Sequence, residues 1–321
     1  MLKIKLDLKD RKILYELDIN ARQTYSQIAK KVKLSKQVVK YRIEQLEKEG
    51  IVKGYSTMID TSKLGYTIFR IYLKLKNINP QKKKEFVHYL KIQKNIWAVV
   101  LTAGNWDVAL GLAIKDIYQF YDSWEKILKD YLPSIKDYKV CIYSPIYHFA
   151  KAYIVGKEDS SKIRILGGKK QEQIDKIDIL ILRELAQNAR VSLLEISKKT
   201  DKTAESISYR IKQLEKKGII QGYRAIIDIN LLGYEFYKTE FRLSRWNNFD
   251  QILTFAHLHP NIYQIDKTIG GEILEMEFHV KNLNHLLKLI EELENEFPNT
   301  IESYNYITIL SEEKHIYMPE D

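Results

Sequence analysis

The sequence predicts an α+β chain made of two repeats, each a winged helix-turn-helix followed by a β-α-β-β-α-β domain. Three observations predict it. Residues 6–76 recur 168 positions later as 174–244. Each copy opens on three short amphipathic helices, the third capped by Ser or Thr and closed by Gly. The rest of each copy switches between period-2 and period-3.6 apolar patterns.

The repeat is the strongest signal. Asp7/Asp175, Asp10/Asp178, Leu14/Leu182, Leu17/Leu185, Asn20-Ala21-Arg22/Asn188-Ala189-Arg190, Tyr41/Tyr209, Arg42/Arg210, Gly50/Gly218, Tyr55/Tyr223 and Leu64-Gly65-Tyr66/Leu232-Gly233-Tyr234 are matched pairs. The register then slips by two, so that Gly104 faces Gly270, and the likeness fades. The expected division is 1–60 and 174–228 for the helix-turn-helix units, 61–155 and 229–321 for the α/β domains, and 156–173 as a linker.

In the first unit, Leu8 to Asp18 places Leu8, Ile13, Leu14 and Leu17 on one helical face. Ser26 to Val32 is a second helix and Lys33-Leu34 the turn. Ser35 caps a third helix that runs to Glu49 with Val38, Val39, Ile43 and Leu46 apolar, and Gly50 suits the position after it. Ile51 to Ile59 reads as a hairpin wing turning near Gly54. In the second unit Thr203 is the cap, Ile207, Ile211 and Leu214 the inner face, and Gly218 the stop.

A third helix of this kind enters a major groove. Its outward residues in the first unit are Lys36, Gln37, Lys40, Tyr41 and Arg42, with Ser35 at its start. Gln can read adenine bidentately, and Lys or Arg can reach guanine or phosphate. The second unit offers Thr203, Ala204, Glu205, Ser208, Tyr209 and Arg210. Arg42 and Arg210 are expected to clamp phosphate, and Glu205 stands where phosphate would repel it. The bland alternative is a solvated polar face on a helix bundle.

The second half of the first unit reads as strand Tyr66–Lys76, helix Pro80–Gln93, strands Ile96–Ala103 and Trp106–Ile114, helix Ile117–Leu132 and strand Lys136–His148. The second unit repeats it from Phe236 to Leu310. This is the ferredoxin-like order, with two helices on one face of an antiparallel sheet. The open face needs cover, which argues for pairing of two such domains.

These residues resemble the Lrp/AsnC (feast/famine) family of transcription regulators. The likeness is carried by Leu6-Asp7-Leu8…Asp10-Arg11…Ile13-Leu14, Asn20-Ala21-Arg22, Arg42-Ile43…Leu46…Gly50-Ile51, Tyr55, Asp60, Leu64-Gly65 and Gly104-Asn105-Trp106-Asp107. The resemblance implies an operator-binding winged helix plus an effector-sensing, assembly-forming α/β (RAM/AsnC-type) domain. It places a small effector, often an amino acid, near a Gly-x-x-Asp loop, here Thr102, Gly104, Asn105 and Asp107. The second unit keeps Gly270 but has Ile273 in place of the aspartate. One unit per chain is usual in the family, so two units read as a covalent pseudo-dimer with double-stranded DNA as partner.

Composition agrees with that reading. The chain has 321 residues, 45% hydrophobic and 29% charged, with formal net charge +10. A polyanionic partner fits the sign. No apolar run approaches the ~20 residues that span a bilayer, the N-terminus has no apolar leader segment, and a cytoplasmic location is expected. The single cysteine, Cys141, lies in an apolar strand and reads as packing. Charge divides unevenly: residues 61–168 carry +9 and residues 229–321 carry −9. This asymmetry is expected to steer one α/β domain onto the other.

Two other function classes stay open. Siroheme decarboxylases resemble the same family, pair non-identical subunits, and need His and Arg around a tetrapyrrole. The histidines here, His88, His148, His257, His259, His279, His285 and His315, show no ligand spacing such as H-x-x-x-H, so neither catalysis, a metal nor a cofactor is expected. The third reading is a winged-helix protein-interaction or metabolite-sensing module that ignores DNA.

Overall fold

The computed structural model describes residues 6–158, 161–168 and 170–319. Helices α1 (Leu8–Ile19), α2 (Tyr25–Val32) and α3 (Lys36–Lys48) open the first unit, and α6 (Lys176–Gln187), α7 (Leu193–Thr200) and α8 (Ala204–Lys216) the second. Their ends follow side-chain chemistry. Asp7 and Asp175 accept from the amides three residues on, within capping boxes. Ser35 and Thr203 accept from Val38 and Ser206. The helix-turn-helix turns bend at Lys33 (φ 55°) and Asp201 (φ 52°), and Gly50 and Gly218 close the third helices at φ 73° and 69°.

Two apolar positions of these helices lie outside the core. Leu8 is 59% exposed and Val38 39% exposed, because α1 and α3 bury one stripe each, through Ile13, Leu14 and Leu17 and through Val39, Ile43 and Leu46. The hairpin wing is corrected. Residues Val52–Ile59 form one strand, β1, with no turn at Gly54, where the ladder register merely shifts. Its partner is β7 (Ile220–Ile227) of the other unit. No two-residue turn sequence favours folding β1 back on itself, and the other copy supplies an equivalent antiparallel edge.

The β1–β7 register pairs Ser56 with Arg224, which are repeat equivalents. A pseudo-two-fold axis therefore passes beside this pair. Matching bonds flank it: Ala21 N donates to Tyr223 O and Ala189 N to Tyr55 O, both at 2.9 Å. Each helix-turn-helix packs on the other unit's strand, Ile13, Leu14 and Leu17 sharing a core with Ala225 and Ile227.

The α/β halves supply β2 (Thr67–Leu75), α4 (Pro80–Ile92), β3 (Ile96–Ala103), β4 (Val108–Ile114), α5 (Ile117–Tyr131) and β5 (Ile135–His148), then β8 (Glu235–Leu243), α9 (Phe249–Leu258), β9 (Ile262–Ile269), β10 (Leu274–Val280), α10 (Leu283–Glu296) and β11 (Ile301–His315). The expected order holds in both. β11 runs five residues past the expected Leu310 because its last part pairs across the seam with β3, Thr308 opposite Ala103 and His315 opposite Ala98. β5 likewise pairs with β9, and β2 with β5. The strand cycle β2-β4-β3-β11-β8-β10-β9-β5 closes on itself as an eight-stranded antiparallel barrel. Helix-facing cores lie outside it, Phe86, Leu90 and Leu110 in one half and Phe278, Leu286 and Leu293 in the other. The expected linker contains a short strand, β6 (Arg164–Leu166), on the edge of β5. Cys141 is fully buried, as expected of a packing residue.

Candidate nucleic-acid interface and interior sites

The two third helices present unlike faces. On α3, Lys36, Gln37, Lys40 and Tyr41 are exposed, and Lys40 lies 3.6 Å from Glu44 on the same solvent face. On α8, Glu205 and Tyr209 are exposed and Ser208 is half-buried. Tyr41 and Tyr209 match closely, at 62% and 64% exposed.

Arg42 and Arg210 are placed differently from the phosphate clamps expected of them. Arg42 Nη1 donates to Asp7 and Asp10, both at 2.7 Å. Arg210 Nη1 donates to Asp175 and Asp178 at 2.9 and 2.8 Å. Each therefore ties the third helix to the capping box of the first. The backbone amide of Asp10 first, then Arg42, hold the Asp7 carboxyl down to about 2, against an opposing push from burial.

The Gly-x-x-Asp loop is a self-satisfied turn at the seam. Thr102 Oγ1 donates to Trp106 O at 2.8 Å, and Lys74 Nζ to Gly104 O at 2.9 Å. Asp107 accepts from Leu75 N at 2.8 Å and lies 3.3 Å from Lys74. Gly104 has φ 120°, and a Cβ there would sit 3.3 Å from Tyr306 O of the second unit. Asn105 is exposed at the tip.

Tertiary structure assembles two charged clusters that sequence reading missed. The first fills the barrel. Lys238 Nζ lies 2.5 Å from Asp266 and 3.1 Å from both Glu275 and Glu277. Tyr72 donates to Glu275 at 2.8 Å, Tyr143 also donates to it, and Lys139 pairs with Glu240. Arg70, the repeat equivalent of Lys238, faces the rings of Trp97 and Tyr143. With the two-residue slip, Asp266, Glu275 and Glu277 stand where the first unit has Val100, Ala109 and Gly111. The interior acids come from the second unit and the apposed hydroxyls from the first.

The second cluster surrounds Asp18, fully buried at the end of α1. It accepts from Arg224 Nε and Nη2 at 2.9 and 2.7 Å, from Lys151 N at 2.8 Å and from Lys151 Nζ at 3.1 Å. Arg164 of β6 donates to the carbonyls of Asp18 and Ile19. Burial raises the Asp18 carboxyl, but Arg224 and Lys151 outweigh it and hold it well below the usual range. The repeat equivalent of Asp18 is Ala186, so only the first helix-turn-helix is tied this way. His148, His279 and His315 converge near Tyr263 and Tyr317 beside this cluster. Nothing in their spacing announced that meeting, since strands 131 and 36 residues apart bring them together. Among the described residues no group of three His, Cys, Asp or Glu is arranged to hold a metal, and no helix is long and apolar enough to cross a membrane.

The fold and reading helices define a duplicated winged helix-turn-helix protein. The winged helix-turn-helix DNA-binding family model matches residues 6–53 and again 174–221. An uncharacterized HTH-type transcriptional regulator of Pyrococcus furiosus is 30% identical over 131 residues, 40% of this chain and 84% of the relative. The HTH-type transcriptional regulator LrpB of Bacillus subtilis is 33% identical over 118 residues, 36% of this chain and 79% of that one. The chain belongs to the Lrp/AsnC family of helix-turn-helix transcription regulators, in a tandem two-unit form. Among solved structures, the siroheme decarboxylase NirDL superposes with TM-score 0.63 at 15% identity, covering 97% of this chain and 94% of that one. That likeness is one of fold.

Proposed function

We propose that the chain is a sequence-specific DNA-binding regulator working as a covalent pseudo-dimer. Its helices α3 and α8 read two different half-sites of one non-palindromic operator. The β1–β7 pairing about Ser56 and Arg224 carries this reading, because it joins both helix-turn-helix units into one body as a dimer interface would. Lys36, Gln37, Lys40 and Tyr41 face the base edges and backbone of one half-site, with Ser208 and Tyr209 at the other. The Thr102–Asp107 loop, at the seam between units, is the place for a small effector on the family pattern. Salt-dependent retention on duplex DNA tests the reading, since neutralised phosphates make affinity fall steeply with salt. Selected-oligonucleotide binding should return an asymmetric site. Absence of duplex binding at ~50 mM salt refutes it.

A second reading, a tetrapyrrole enzyme like the siroheme decarboxylase, is favoured by the full-length superposition and the three converging histidines. Space weighs against it. The cavities inside and beside the barrel are each about 40, 190 and 220 Å³, whereas pockets for drug-sized ligands measure roughly 300–1,000 Å³. The Lys238 cluster occupies the lumen. An absorbance titration with iron uroporphyrin separates the readings: a shifted Soret band supports the enzyme.

A further inference from the structure

The β1–β7 ladder joins the two units through their strands, but the helix-turn-helix bodies also meet directly across the pseudo-two-fold axis. Arg22 Nη1 of the first unit donates to Ala189 O at 2.7 Å and to Val191 O at 3.1 Å in the second. Its repeat equivalent, Arg190, reaches back the other way, with its guanidinium carbon 5.0 Å from the ring centres of both Tyr25 and Tyr55. Arg22 likewise faces Tyr223, the equivalent of Tyr55, at 5.5 Å. Each of these two tyrosines is tied to the third helix of its own unit. Tyr55 donates to Glu47 in the last turn of α3, and Tyr223 to Glu215 in the last turn of α8 at 2.7 Å. Burial, then these carboxylates, push both hydroxyls well above the usual phenol range, so each stays a donor. An arginine of one unit therefore bears on a tyrosine that holds the reading helix of the other, and the relay is built twice. The backbone under both arginines is pinned as well: Arg22 N donates to Asn20 Oδ1 and Arg190 N to Asn188 Oδ1, each at 2.9 Å. A planar cation set against a ring, on a pinned backbone, has little freedom to turn.

We propose that Arg22 and Arg190 are positioning residues that lock the distance and rotation between α3 and α8, and so set the half-site spacing that the chain accepts. The ladder sets the two strands against each other. The relay sets the last turn of each reading helix against the opposite unit. A base pair added between half-sites moves the second by about 3.4 Å and turns it by about 35°, and a locked pair of helices cannot follow both changes. The relay departs from symmetry in one place. Tyr25 has Leu193 as its repeat equivalent, so Arg190 lies between two rings and Arg22 against one. The consequence for spacing rests on the DNA-binding reading, whereas the lock itself does not.

Spin labels on the full chain at Gln37→Cys and Glu205→Cys, exposed repeat equivalents on the two reading helices, measure the lock without DNA. Cys141 is fully buried and takes no label. Pulsed dipolar spectroscopy should give one narrow distance distribution in the parent. In Arg22→Met/Arg190→Met, checked for an unchanged far-UV spectrum, the distribution should be at least about twofold wider. Equal widths overturn the lock. If the double variant fails to fold, Tyr25→Leu decides, because the second copy already carries leucine at that position. It should widen the distribution by a smaller amount, and no widening overturns the lock. Duplexes with one base pair added or removed between the half-sites then test spacing. The parent should lose at least roughly tenfold in affinity and the double variant no more than about threefold. A general loss of stability would lower every affinity together and leave that ratio as in the parent, which overturns the spacing role. Absence of duplex binding by the parent would instead condemn the DNA reading, with the distance measurement standing.

Discussion

Arg224 grips Asp18 through two near-parallel hydrogen bonds, 2.9 and 2.7 Å long, across 206 residues of chain. Arg224 sits on the pseudo-two-fold axis opposite Ser56, yet its grip has no symmetric counterpart, because Ala186 replaces the aspartate in the second copy. The two helix-turn-helix units are therefore held by unlike means on a nearly symmetric frame.

Asp18→Asn leaves Arg224 and Lys151 buried without a counter-charge, and should cost about 3–5 kcal/mol in urea unfolding. The pH sign follows from the lowered folded pKa of Asp18. Its contribution is full above the unfolded value of about 4 and is lost as pH falls below that. Unfolding midpoints measured from pH 7 to pH 3 should decline less steeply in Asp18→Asn than in the parent.

Lys151 acts at the other end of the scale. Burial, with Arg224 beside it, holds its ammonium down to about 8 against a usual 10.5. The unfolded chain binds the extra proton between those values, so this group favours folding increasingly as pH rises from 8 toward 10. Lys151→Met should remove that rise from the alkaline limb of a stability profile.

Lys238→Met should strand three buried carboxylates and cost about 3–5 kcal/mol. Adding Glu275→Gln should return part of it, so the double-mutant cycle shows coupling rather than additivity. A second-unit half paired with itself would enclose six such acids against two lysines.

On the reading face, Lys36→Ala and Lys40→Ala should each weaken DNA binding for every sequence and lower the salt slope by about 1. Gln37→Ala should relax base preference at one position of one half-site, costing about 1–3 kcal/mol of discrimination. Glu205→Gln should strengthen binding in the other half-site. Equilibrium titrations across salt concentrations measure all four.

Arg42→Ala should lower stability by about 1 kcal/mol or less through loss of the tie to Asp7 and Asp10, which solvent partly screens. Asp10→Asn should reproduce that loss. If Arg42 also meets phosphate in the complex, only Arg42→Ala will weaken DNA binding at matched stability, which fluorescence anisotropy on both variants decides.

Much of this protein was determined locally. Helix caps at Ser35 and Thr203, stops at Gly50 and Gly218, and most of the apolar stripes of α1, α3 and α8 depend on contacts within a few residues, so the duplicated pattern carried them legibly. The strand order of both α/β halves followed for the same reason, since alternation marks which face is buried. Partner choice was another matter. A lone β1 strand could turn back or cross to β7, and the antiparallel edge supplied by the second copy selected the crossing. The outward look of Arg42 in a helical pattern gave no sign of the carboxylates waiting on α1. Asp18, Arg224, Lys151, Lys238 and the three histidines owe their meeting to long-range packing, where burial makes each charge seek a partner, for Asp18 one 206 residues away.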